Sequence, residues 1–172
     1  MALLLKKKIR NVPDFPKQGI LFRDITTLLK DAQAFRQAID ELAAAVKGKK
    51  IDHVVAVESR GFIFGAALAY KLKVGFIPVR KKGKLPAQTI SAEYALEYGT
   101  DSLHMHTDAL KAGDKVLIVD DLLATGGTAA AVCQMTGRLK AKIAGIIFLI
   151  ELCDLKGRNK LSGYPVFSLI QY

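Results

Sequence analysis

Between Val116 and Thr128 the chain reads Val-Leu-Ile-Val-Asp-Asp-Leu-Leu-Ala-Thr-Gly-Gly-Thr and runs on into an alanine-rich stretch. Four branched apolar residues ending in Asp120 and Asp121 describe a buried parallel strand whose carboxyl edge carries two acids. The turn that follows is built from residues without bulk, and a helix begins at its far end. Ala124, Thr125, Gly126, Gly127 and Thr128 offer successive backbone N–H groups and two hydroxyls to a phosphate, and the helix dipole favours the negative charge. Acids beside an anion site call for a bridge to the ligand, which ribose hydroxyls and a polyphosphate-borne Mg²⁺ provide. The pattern fits a phosphorylated sugar.

Other phosphate loops do not fit. The chain contains neither Gly-x4-Gly-Lys-Ser/Thr nor Gly-x-Gly-x-x-Gly, which excludes a Walker A loop and a dinucleotide fingerprint. An ordinary strand–turn–helix with an incidental acidic pair is the plain alternative.

At 172 residues and 51% hydrophobic content, the chain suits one well-buried α/β domain. No apolar run reaches the length of a membrane span. Lys6, Lys7 and Lys8 follow the N-terminal leucines, the reverse of a signal peptide's order, so a short amphipathic helix is expected there. Cys133 and Cys153 are expected to be free thiols in a reducing cytoplasm. His104 and His106 lack a third ligand and read as one exposed face of a hairpin, and His53 as the start of a strand. The net charge of +10 raises nucleic acid as a partner. The lysines, however, do not alternate with aromatic residues that would stack bases.

Along the chain, Asp31 caps an expected helix reaching about Val46, and Val54–Val57 and Gly75–Val79 read as strands. Residues Pro86 to Thr107 alternate polar and apolar, predicting a hairpin or mobile flap outside the main sheet. Ile143–Ile150 is a central strand covered on both faces, and Val166–Ile170 closes the sheet. Strand–helix alternation places ligands at the strands' carboxyl ends. Three loops there carry chemistry. Glu58, Ser59 and Arg60 precede a helix, Arg80, Lys81 and Lys84 form a basic turn, and Ala124 to Thr128 remain for a phosphate.

These three loops resemble those of the type I phosphoribosyltransferases, and the segment from Val116 to Thr128 is similar to that family's motif for 5-phosphoribosyl 1-diphosphate (PRPP). Gly19–Asp24, Glu58–Phe62, Arg80–Pro86, Leu96–Gly99 and Leu155–Arg158 resemble the family's adenine-using branch, and the likeness runs on to Gln171–Tyr172, where the domain is expected to be complete. The resemblance implies a single domain over residues 1–172, with a mostly parallel central sheet flanked by helices. It also implies a small N-terminal hood over about 1–30 and a mobile β flap over about 86–107. The implied reaction is adenine plus PRPP giving AMP and diphosphate, with inversion at the anomeric carbon. Asp120 and Asp121 would face the ribose hydroxyls and, directly or through water, Mg²⁺. Residues 124–128 would wrap the 5′-phosphate. Glu58, Ser59, Arg60, Arg80, Lys81 and Lys84 would handle the diphosphate, with Arg60 counted among the catalytic groups. The Leu21 and Arg23 backbone would read the adenine edge while Phe22 packs on its face. Glu97 is the implied acid/base, and Tyr98 helps close the flap. A non-proline cis peptide is implied between Glu58 and Gly61, together with a cytoplasmic homodimer having neither membrane nor nucleic-acid partner. Two alternatives stay open: a PRPP-sensing regulator that binds nucleic acid, and an enzyme for another 6-substituted purine.

Overall fold

The computed structural model describes residues 2–95 and 100–172. Among them, strands β3 (His53–Val57), β4 (Gly75–Lys81), β5 (Thr89–Ala95), β6 (Thr100–His106), β7 (Lys115–Leu123), β8 (Lys142–Glu151) and β9 (Val166–Gln171) form one sheet in the order β5-β6-β4-β3-β7-β8-β9. The pairings from β4 through β3, β7 and β8 to β9 are parallel. Val54–Val57, Val116–Val119 and Ile146–Ile150 are buried, as strands covered on both faces must be.

Helices α3 (Ala32–Ala44) and α4 (Arg60–Leu72) cover one face, and α5 (Gly127–Arg138) covers the other. Asp31 does cap α3, accepting from the Gln33 and Ala34 amides at 3.1 and 3.0 Å. Gly65 lets α4 press against β3, since a Cβ there would lie 2.4 Å from the Ala56 Cβ.

The chain leaves β3 through α4 to reach β4 on one side, and leaves β7 through α5 to reach β8 on the other. The direction of winding therefore reverses between the neighbours β3 and β7. Their carboxyl ends diverge into a crevice, the preferred ligand position in an open α/β sheet.

The N-terminal segment comprises α1 (Ala2–Lys6), β1 (Arg10–Val12), β2 (Phe22–Asp24) and α2 (Thr26–Leu29), with β1 and β2 forming a separate antiparallel pair. The β5–β6 hairpin corrects one expectation. It does not stand outside the main sheet, because β6 pairs with β4 at Arg80↔His104 and Lys81↔Leu103. Its apolar positions Ala92, Leu103 and Met105 enter the core beneath α5, which draws the hairpin onto the sheet edge. His104 and His106 lie half-buried on the opposite positions, and no group of three or more metal-ligating side chains occurs among the described residues.

Candidate active site

Two helix N-termini point into the crevice. Ser59 precedes α4 and Gly126 precedes α5, and neither helix start has a side-chain cap or an acidic residue in its first turn. The first amides of each helix therefore keep donors free for an anion. The Glu58–Ser59 peptide is cis. Gly61 allows α4 to begin close to β7, because a Cβ there would come within 2.8 Å of Asp120 Oδ1 and 3.2 Å of the Val119 carbonyl oxygen.

A cleft of about 480 Å³ lies between these starts, walled by Glu58, Ser59 and Arg60 on one side and by Asp120, Asp121, Ala124 and Thr128 on the other. Lys81, Tyr94 and Leu103 border it from the basic turn and the hairpin. Thr125, Gly126 and Gly127 line a smaller adjoining cup of about 60 Å³.

The acidic pair is held in place by its neighbours. Asp120 Oδ1 accepts the Asp121 amide at 2.8 Å. Arg60 Nε lies 2.8 Å from Asp121 Oδ2, without the alignment of a hydrogen bond, so that buried oxygen keeps an open lone pair. Burial, reinforced by the neighbouring Asp121 charge, raises the Asp120 carboxyl well above the ordinary carboxylate range. Burial also raises Asp121, against the opposing pull of Arg60. Two desolvated carboxylates sharing one guanidinium favour added positive charge. Mg²⁺, which takes one or two protein carboxylates and completes its shell with water and ligand phosphate, matches this donor set.

The basic turn is organised from within. Arg80 Nε donates to Glu58 Oε2 at 2.9 Å, Arg80 Nη1 donates to the Lys84 carbonyl at 3.0 Å, and the Lys81 amide donates to Glu58 Oε2 at 3.1 Å. Burial opposes ionisation of Glu58, but these donors together hold its carboxyl below the usual range. Arg80 and Glu58 thus fasten the β4 turn to the β3 turn. Lys81 Nζ reaches Asp101 of β6 at 3.2 Å, and Lys84 stands exposed.

The N-terminal segment meets the same place through Phe22. Its ring packs edge-on against Phe15 at 5.1 Å, and the Arg60 guanidinium lies 5.3 Å from its centroid. Leu21 is exposed beside it, and Arg23 is half-buried. Glu97 and Tyr98 lie outside the described residues.

Tyr94 and Leu103 are among the cleft-lining residues that the sequence reading did not single out. The signal for them is the period-two alternation of the hairpin, which becomes informative only once β6 is paired with β4. The Tyr94 hydroxyl donates to Asp101 at 3.2 Å, and burial pushes its pKa up to about 12, so it stays a neutral donor.

A doubly wound sheet with two uncapped helix starts and an acidic pair between them defines a phosphate-handling α/β protein. Residues 26–169 match the model of the phosphoribosyl transferase domain, and the chain belongs to that family. More particularly, it is 61% identical over 168 residues to the adenine phosphoribosyltransferase of Brachyspira hyodysenteriae, covering 98% of this chain and 99% of that one. The crystal structure of adenine phosphoribosyltransferase from Thermoanaerobacter pseudethanolicus superposes with a TM-score of 0.97 at 56% identity, covering all of both chains. The Saccharomyces cerevisiae adenine phosphoribosyltransferase, crystallised with adenine and an imino-altritol bisphosphate, superposes with a TM-score of 0.93 at 44% identity over 98% of each chain.

Proposed function

We propose that this protein transfers the 5-phosphoribosyl group from PRPP to adenine, giving AMP and diphosphate. The observation carrying this reading is the pair of uncapped helix starts facing one cleft, with Asp120 and Asp121 between them. One ligand with a phosphate at one end and a diphosphate at the other fills both. The yeast relative's ligands, adenine and a bisphosphate, support the same pairing here.

Residues 124–128 hold the 5′-phosphate by backbone amides and the Thr125 and Thr128 hydroxyls. Glu58, Ser59, Arg60, Arg80, Lys81 and Lys84 build the diphosphate site. Within it Glu58 and Arg80 shape the turn, while Arg60, Lys81, Lys84 and the α4 amides supply positive charge. Asp120 and Asp121 take the ribose hydroxyls and stabilise positive charge on the ring as the bond from the anomeric carbon to the diphosphate oxygen breaks. Asp120 and Asp121 would hold Mg²⁺ directly or through water, and the ion would supply further neutralisation of the diphosphate's negative charge.

Adenine N9 forms the new bond with inversion and loses its proton, with Glu97 as the proposed acid/base. The segment joining β5 to β6, including Tyr98, is proposed to exclude water during this step. Phe22 packs on the base, and the Leu21 and Arg23 backbone reads its edge. Adenine presents a donor at N6 and an acceptor at N1, whereas hypoxanthine and guanine present the reverse. Fixed backbone groups cannot turn over to accept the reversed pattern, so discrimination of roughly 10⁴-fold is expected.

Residues 1–172 are proposed to act as one domain, with a hood over about 1–30, in a cytoplasmic homodimer. No helix among the described residues is long and apolar enough to cross a membrane. The deciding experiment assays labelled adenine, hypoxanthine, guanine and xanthine with PRPP and Mg²⁺. AMP formation from adenine alone is the expected result, and comparable kcat/KM for hypoxanthine overturns the assignment.

A further inference from the structure

Gly126, at the head of the phosphate loop, is walled in by a segment thirty residues downstream. A Cβ on Gly126 would lie 2.3 Å from the Gly157 carbonyl oxygen, and a Cβ on Gly157 would lie 2.2 Å from the Ala124 carbonyl oxygen and 3.0 Å from the Gly126 amide nitrogen. The two backbones touch, so neither can shift without moving the other.

Gly157 is itself pinned on both sides. Leu161 is buried under α5, and the Leu152 amide donates to the Leu123 carbonyl at 2.9 Å. Next to Gly157, Arg158 reaches back to the end of β8. Its Nε and Nη2 donate to Glu151 Oε1 and Oε2, both at 2.7 Å, its Nη1 donates to the Val166 carbonyl at 3.0 Å, and Nη2 also reaches Ser168 Oγ at 3.3 Å. Glu151 is buried at the carboxyl edge of β8, where an unpaired charge is costly. A two-pronged guanidinium–carboxylate contact fixes orientation as well as distance.

We infer that Glu151 and Arg158 are positioning residues for the 5′-phosphate, acting through the Gly157 backbone on Gly126. They hold residues 153–161 as a wall against the loop, so that its amides converge on the phosphate before the ligand arrives. This inference rests on the reading of residues 124–128 as the phosphate cradle.

The test measures binding of ribose 5-phosphate and of inorganic diphosphate separately by calorimetry, on variants shown by circular dichroism to be folded. Arg158→Met and Gly157→Ala are expected to weaken ribose 5-phosphate by about 10- to 100-fold, as small misplacements of binding groups do. Diphosphate binding is expected to stay close to that of the unmodified protein, because its site lies on the β3 and β4 turns. Arg158→Lys, which retains one donor, should fall between, and KM for PRPP should rise more than kcat falls. Equal weakening of both ligands, or unchanged ribose 5-phosphate binding in folded Arg158→Met, overturns the inference. Thr128→Ala separates it from the underlying reading. If that variant binds ribose 5-phosphate normally, the cradle assignment fails and takes the inference with it. If Thr128→Ala weakens binding and Arg158→Met does not, the wall alone is rejected.

Discussion

Arg60 and Asp121 form an ion pair, Nε to Oδ2 at 2.8 Å, that ties the turn after β3 to the end of β7. Asp121 is buried and Arg60 is partly exposed, so the guanidinium both compensates a desolvated carboxylate and faces the cleft. Arg60→Ala is therefore expected to do two separable things. It should lower the melting temperature, because a buried charge loses its partner. It should also weaken diphosphate and PRPP by roughly 10- to 100-fold, since one charge-assisted contact contributes about 1.5–3 kcal/mol. Adding Asp121→Asn should restore the melting temperature without restoring diphosphate binding. Recovery of both would show that Arg60 serves stability alone.

Replacing Asp120 and Asp121 together by asparagine should leave the fold intact and raise its melting temperature at neutral pH, because two desolvated acids become neutral. A gain of 1 kcal/mol reads as roughly 2–4 °C in a chain of this length. Turnover should fall by about 10²-fold or more through loss of preorganised charge. Steady-state kinetics and a thermal melt on one preparation check both outcomes.

Glu58 and Arg80 act on the same turn, so their effects should not add. Glu58→Gln and Arg80→Ala should each weaken diphosphate more than AMP. The double variant should be little worse than the poorer single one, with a coupling of about 0.5–3 kcal/mol. Full additivity would mean that Arg80 contacts the ligand independently of Glu58.

The segment proposed to bind the base leans on Tyr172. The Arg23 guanidinium lies 3.7 Å from the Tyr172 ring centroid, Lys6 Nζ lies 4.1 Å from it, and the Tyr172 backbone is bonded to Glu151 and Cys153. Tyr172→Ala should raise KM for adenine up to about tenfold, in line with cation–π contacts of about 0.5–2 kcal/mol, while KM for PRPP holds. Tyr172→Phe keeps the ring and should behave normally. Preference for adenine over hypoxanthine should be unchanged in both if, as proposed, backbone groups set it.

Acid should loosen the N-terminal pair of strands. Asp24 accepts the Thr26 amide at 2.9 Å and pairs with Arg10, and these contacts lower its pKa from 3.8 to about 2. A carboxyl with a depressed folded-state pKa stabilises the fold above its unfolded pKa, and that contribution is lost as pH falls from about 4 toward 2. Protection of the Thr26 amide should therefore drop between pH 4 and pH 2.5 before that of β7. In Asp24→Asn it should be low at every pH.

The local parts of this molecule were legible in the sequence. Strand β7, its acids and the start of α5 lie within thirteen consecutive residues, and helix α3 announced itself through Asp31 and its apolar spacing. What stayed hidden depends on partners distant in the chain. The positive charge of Arg80 was visible, but its engagement with Glu58 required the β3–β4 register. The hairpin's alternation was visible, but it is equally compatible with a free flap and with the sheet edge it occupies. Helix α2 is too short to show a period at all.

The meeting of Gly126 and Gly157 has a practical meaning for anyone who would borrow this site. Residues 116–128 are not a portable cassette: moved into another doubly wound scaffold, they would bring their amides but leave behind the wall that aims them. A working transplant has to carry residues 151–161 as well, with a strand beside β7 to seat Glu151.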